Sequence, residues 1–293
     1  MKPLRVVLDI GVCTIAGEDF QRPKKVNQDA SFHMEFEDGY VCVGVLDGHG
    51  SQGRGLTKFL ASELPIEIHK QLREPRSILE WEEQMEQLGG FNVADEDSSS
   101  LHYKTLVNGF HAVHWKALND PEIKAGRSGS TCIACLIKGD GIEVAYVGDS
   151  MAILVSLDGT VTPLSQATTV EMPIERQRIE RGEGAVTGNN VFYGPVGIAM
   201  TRVLGDAVML RAGVVPTPFV KSFFRKKGDV IVLATDGVSD VLTHQAVAKL
   251  VLATKGVDVA SRNIAMAAKQ KWIGDLPIVD EVKMDDITCM VIR

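Results

Sequence analysis

Short apolar runs rich in β-branched residues, each bounded by Gly or Asp, recur along the chain and predict strands at 5–12, 40–46, 131–138, 142–148, 151–156, 230–235 and 288–292. Between them, apolar residues spaced i, i+3 and i+4 predict helices at 53–72, 76–88, 101–119, 172–182, 243–254 and 257–272. Leu56, Phe59, Leu60 and Leu64 illustrate the helical spacing. The links joining 131–138 to 142–148, and 142–148 to 151–156, are too short for a parallel crossover, so these strands pair as antiparallel hairpins. The pattern implies an α+β fold, antiparallel sheet flanked by helices. Residues 86–100, with Gly89-Gly90 and the acidic, serine-rich run from Asp95 to Ser100, read as an exposed loop.

Composition narrows the picture. The chain has 293 residues, of which 45% are hydrophobic, enough to bury the core of one compact domain spanning 1–293. A formal charge of −7 argues against a nucleic-acid partner, which needs a basic face to displace counterions. No apolar run approaches the length of a membrane span, and Lys at position 2 excludes N-myristoylation of this sequence. The expected setting is the cytoplasm, with the nucleus open as well. Five cysteines, at 13, 42, 132, 135 and 289, fit free thiols better than a disulfide framework. Cys132 and Cys135 have CxxC spacing, but on a strand residues three apart face opposite ways, so they make a poor zinc or redox site.

Candidate chemistry lies where apolar strands end in an acid. Val41–Leu46 runs into Asp47-Gly48-His49-Gly50, 229–235 runs into Asp236-Gly237, and the last strand is preceded by Asp285-Asp286. Buried strands deliver their ends to a rim of the sheet, where such acids can converge. Convergent carboxylates repel unless a cation holds them, and oxygen donors suit Mg²⁺ or Mn²⁺. Gly48 would let a backbone carbonyl approach an ion with no Cβ in the way.

The order of these pieces resembles the metal-dependent serine/threonine protein phosphatases, the type 2C or PPM family. The matching blocks are 26–30, 45–50, 129–131, 146–150, 175–180, 201–206, 234–240 and 285–288, spread over nearly the whole chain. The resemblance implies a four-layer α-β-β-α sandwich, two antiparallel sheets between helix pairs, with a flap at about 166–200. It implies two Mg²⁺ or Mn²⁺ ions, with Asp47 bridging them and Gly48 offering its carbonyl. Asp236 and Asp285 complete one ion's shell, and Asp29 supports the other. His49 matches the general acid for the leaving oxygen, and Lys24 the basic residue on the substrate phosphate. The substrates implied are phosphoproteins, dephosphorylated by direct attack of a metal-activated water, and the default state is a monomer. Asp149 and Asp206 are expected to support turns and packing, and the charged stretch from Glu175 to Arg181 to be a solvated helix. The basic run from Lys221 to Lys227 is expected to be a solvated strand and turn.

Some positions depart from the family pattern. Gln28 stands where many relatives have a Glu ligand, so the second ion site is expected to be looser. Ala167 replaces the third site's Asp, which leaves Asp240 alone there and makes a third ion doubtful. Met151 replaces an Arg outside the ligand shell. These departures keep two alternatives open: a catalytically weak binding or regulatory module on the same fold, and a phosphohydrolase acting on a small metabolite.

Overall fold

The computed structural model describes residues 8–19, 25–75, 100–274 and 283–293. The predicted helix 76–88, most of the loop 86–100, and Lys24 lie outside these residues. The sandwich strands are β1 (Ile10–Ile15), β2 (Ala30–Glu35), β3 (Val41–Leu46), β4 (Cys132–Lys138), β5 (Gly141–Val147), β6 (Met151–Val155), β7 (Val161–Pro163), β8 (Phe219–Phe224), β9 (Val230–Ala234) and β10 (Ile287–Ile292). They form two antiparallel sheets, ordered β1-β10-β9-β6-β7 and β8-β5-β4-β3-β2.

The sheets pack face to face over Val43, Val45, Ile133, Val144, Leu154, Ile231, Leu233 and Met290. The outer face of the second sheet is covered by α1 (Gly53–Arg73) and α2 (Leu101–Asn119) through Leu56, Leu60, Leu64, Leu106 and Phe110. After α3 (Pro173–Arg181), helices α4 (His244–Leu252) and α5 (Val257–Ile273) cover the first sheet through Val247, Val251, Ile264 and Ala268. The result is the four-layer sandwich. Ser100 starts α2 by accepting a hydrogen bond from Tyr103 N, which satisfies one of the free N–H groups of the first turn. Cys132 and Cys135 sit in the cores on opposite faces of β4, as the strand period requires, and all cysteines are free. Among the described residues no helix is long and apolar enough to cross a membrane.

Residues 5–7 of the first expected strand lie outside the described residues, and within them the strand runs Ile10–Ile15, past the expected end at 12, because its register is set by residue-for-residue pairing with Ile287–Ile292. β2 is missing from the sequence expectations: its apolar residues alternate with polar ones at the sheet edge, and Phe32 is its only fully inward apolar side chain. Lys221 and Ser222 on β8 are exposed, as foreseen.

The charged helix is the clearest correction. Glu175 and Arg178 of α3 are buried, not solvated. Glu175 accepts paired hydrogen bonds from Arg178 and from Arg202, at 2.5 to 3.0 Å, and a further one from Thr201 Oγ1. Arg202 lies 3.6 Å over the Phe219 ring, and its remaining nitrogen donates to Thr217 O. Glu175 and Arg178 thus pair inside, with Arg202 as a partner outside their own helix, while Glu180 and Arg181 remain exposed as expected. Beyond α3, residues 185–187, 190–193 and 196–198 form a three-stranded antiparallel sheet where the sequence shows no clear period.

Candidate active site

β3 and β9 are buried at every position, and each ends at the same rim of the sandwich. β10 starts there too, since it runs antiparallel to β9 with Ala234 opposite Cys289. Three chain ends therefore bring Asp47, Asp236 and Asp285 to one cleft of 340 Å³, which Lys25, Gln28, Gly48, His49, Thr131 and Asp149 also line. A larger hollow of 760 Å³ lies between α1 and α2. Its chief charges pair with each other, Lys116 with Glu63 and Glu67, so the smaller cleft is the chemical candidate.

Asp47 is held through its backbone. Its N–H donates to Thr131 Oγ1 at 3.1 Å, Thr131 N–H donates to Asp47 O at 2.9 Å, and the Thr131 hydroxyl meets Ser150 Oγ at 2.8 Å. The blocks 129–131 and 146–150 thus brace the acid. Gly48 is required by packing: a Cβ there would stand 2.6 Å from Thr57 Cγ2 and 2.7 Å from Gln28 O.

His49 sits in a small sheet formed by 48–50, 128–130 and 204–205. Its Nε2 is 2.5 Å from Oδ2 of Asp206, which is buried and has a left-handed backbone, φ +46°. Gly129 lies against this pair, and a Cβ at that position would be 2.6 Å from the ring nitrogen. Sequence reasoning gave Asp206 a role in turns and packing; the structure gives it the imidazole as well.

Asp29 accepts a hydrogen bond from Thr235 Oγ1 at 2.9 Å on Oδ2, while Oδ1 is buried without a partner. Asp236 Oδ1 is likewise buried and unpartnered. Burial pushes the Asp29 carboxyl up to about 7, against the lowering effect of the Thr288 and Thr235 hydroxyls. Burial also pushes Asp236 up to about 7, partly offset by its hydrogen bond with Asp47. Asp47 is driven well above the ordinary carboxylate range, by burial first and then by the charges of Asp236 and Asp29. Burial raises Asp149 and Asp240 as well; Asp149 lines the cleft although the sequence reading left it aside, and Asp240 is exposed at the margin.

Gln28 donates from Nε2 to Gly50 O at 2.8 Å, and its backbone N–H donates to the buried Asp286. Asp285 Oδ1 accepts from Lys25 Nζ at 2.7 Å. Among the described residues no three His, Cys, Asp or Glu side chains are gathered closely enough to hold an ion as they stand, and Asp285 faces the lysine. The donor chemistry nonetheless fits a hard divalent cation: carboxylates in mutual repulsion, with buried oxygens on Asp29 and Asp236 that no hydrogen bond satisfies.

Known proteins resemble this chain in sequence and in fold. The family model described as Protein phosphatase 2C matches residues 26–272. Probable protein phosphatase 2C 72 of Arabidopsis thaliana is 30% identical over 299 residues, covering 94% of this chain and 82% of its own. A serine-threonine phosphatase 2C structure from Toxoplasma gondii superposes with a TM-score of 0.70 at 18% identity, covering 97% of this chain and 94% of that one. A C. elegans sex determining protein superposes at 0.74 with 19% identity, covering 98% of this chain and 64% of its own. The chain belongs to the protein phosphatase 2C family, the metal-dependent serine/threonine protein phosphatases.

Proposed function

We propose that the 340 Å³ cleft removes phosphate from phosphoserine and phosphothreonine of protein substrates, using two Mg²⁺ or Mn²⁺ ions. The observation that carries this reading is the set of repelling carboxylates with unsatisfied buried oxygens beside a carboxylate-tethered histidine. Asp29, Asp47, Asp236, Asp285 and the Gly48 carbonyl would hold the ions, with Gln28 and Asp240 as weaker contributors. When bound, such ions make water a nucleophile near neutral pH and neutralise phosphoryl charge. His49, held by Asp206, gives a proton to the departing serine or threonine oxygen. Thr131 and Ser150 fix the backbone of Asp47, and Asp286 fixes Gln28, so the donors keep their places through the cycle.

The test is turnover of a phosphothreonine peptide and of p-nitrophenyl phosphate across Mn²⁺ and Mg²⁺ titrations, beside Asp236→Ala. Both substrates should turn over only with the ion, and Asp236→Ala should be inactive. No ion-dependent turnover would leave a binding module on the same fold. Peptide turnover no better than that of free phosphosugars would favour a metabolite substrate.

A further inference from the structure

Lys25 has a seat built for it in the acid cluster. Its side chain is 18% exposed, with Nζ 2.7 Å from Asp285 Oδ1 and 3.7 Å from Asp286 Oδ1. Asp286 forms a fixed wall, because it is buried and accepts the backbone N–H groups of Gly17 and Gln28 at 2.6 and 2.9 Å. Gly17 forms the other wall, where a Cβ would stand 2.5 Å from the ammonium. Asp285 Oδ1 also accepts the Asp286 N–H at 2.8 Å, so both lone pairs of that oxygen are in use.

Asp285 is also one of the carboxylates assigned to the divalent ion. With Oδ1 saturated by an ammonium and an amide, Asp285 has only Oδ2 to offer a second cation, and that cation would sit beside the positive charge of Lys25. Resting on the ion-site reading, we infer that Lys25 is an internal counter-cation that competes with the divalent ion for Asp285. It neutralises the acids in the ion-free protein and opposes the ion's charge at Asp285 when the ion binds. A lysine suits this task, as a compact charge on a flexible stem can move away without backbone change. Lys25 therefore raises the ion concentration at which the site fills.

Calorimetric titration of Mn²⁺ into the substrate-free protein tests this without any activity readout. Lys25→Met keeps the stem and removes the charge, and should bind Mn²⁺ roughly tenfold more tightly than the wild type. In EDTA the same variant should melt lower, its acids having lost their counter-charge. Lys25→Arg, which keeps the charge, should bind as the wild type does. Lys283→Met removes the same charge from another lysine lining the cleft and should change the affinity little. The inference is overturned if Lys25→Met binds no more tightly than the wild type, or if Lys283→Met gains as much. If neither wild type nor Lys25→Met binds Mn²⁺, the ion-site reading falls and the competition with it. A wild type that binds Mn²⁺ beside an unchanged Lys25→Met removes the competition alone.

Discussion

His49 reaches the cleft with one ring nitrogen tied to a carboxylate that sits 157 residues away in the chain. A ring held this way keeps one orientation, and Asp206 acts through it as a positioning residue. Asp206→Asn should lower kcat on a phosphothreonine peptide by roughly 100-fold, within the range of general-acid contributions, and leave KM little changed. Turnover of p-nitrophenyl phosphate should fall far less, because nitrophenolate departs without needing a proton. Equal losses on both substrates would reduce Asp206 to a packing role. Of the candidate acids, Asp47 and Asp236 were legible in the sequence because each follows an apolar run, and Asp285 because it precedes one, whereas Asp29 came only with the family block 26–30. Asp206 was visible as part of a family block, but no local pattern says which turn lies opposite the histidine. Lys25 was hidden for the same reason: its adjacency to Asp285 and Asp286 exists only once β1 has paired with β10 and Asp286 has accepted the Gly17 and Gln28 N–H groups.

α3 shows how an element's burial can contradict its composition. Taken alone, the run from Glu175 to Arg181 is as polar as a surface helix, and one face of it is, but the burial of Glu175 and Arg178 depends on Arg202 and Thr201 from a distant segment. Burial by itself would raise the Glu175 carboxyl, but the hydrogen bonds from Arg178 and Arg202 outweigh it and hold it at about 2, down from 4.5. A carboxyl depressed on folding contributes stability that is complete above the unfolded value near 4.5 and is lost as pH falls toward about 2. The acid unfolding curve of the wild type should therefore steepen through that window, and Glu175→Gln should flatten it. At neutral pH the same substitution leaves two buried guanidinium groups without their anion and should cost about 3–5 kcal/mol in urea unfolding. An unchanged midpoint would mean that the arginines find other partners. The long strands and helices were readable because their apolar period is carried over many residues. The three short strands from 185 to 198 were not, since three-residue pairings around Gly188 and Gly194 leave too few positions to show a period.

Across the whole molecule, the cleft joins the two sheets: Asp47 ends a strand of one, and Asp236 and Asp285 flank paired strands of the other. Carboxylates placed there work against the packing of the sandwich when no ion is present, since they repel across the sheet–sheet contact. Function and stability therefore oppose each other at this rim, and the conflict sets two linked expectations. In EDTA, Asp236→Asn should melt at a higher temperature than the wild type, because it removes one repelling charge and keeps the side chain's shape. With Mn²⁺ the order should reverse. An ion that binds only the folded wild type contributes about 2.7 kcal/mol at a hundredfold excess over its Kd. In a chain of this size each kcal/mol corresponds to roughly 2–4 °C, so the wild type should rise by several degrees while Asp236→Asn stays nearly unmoved. Paired thermal scans of both proteins, with EDTA and with Mn²⁺, read this directly. If Asp236→Asn is the less stable protein in EDTA, Asp236 stabilises the ion-free rim rather than straining it, and the repulsion account of the cleft fails.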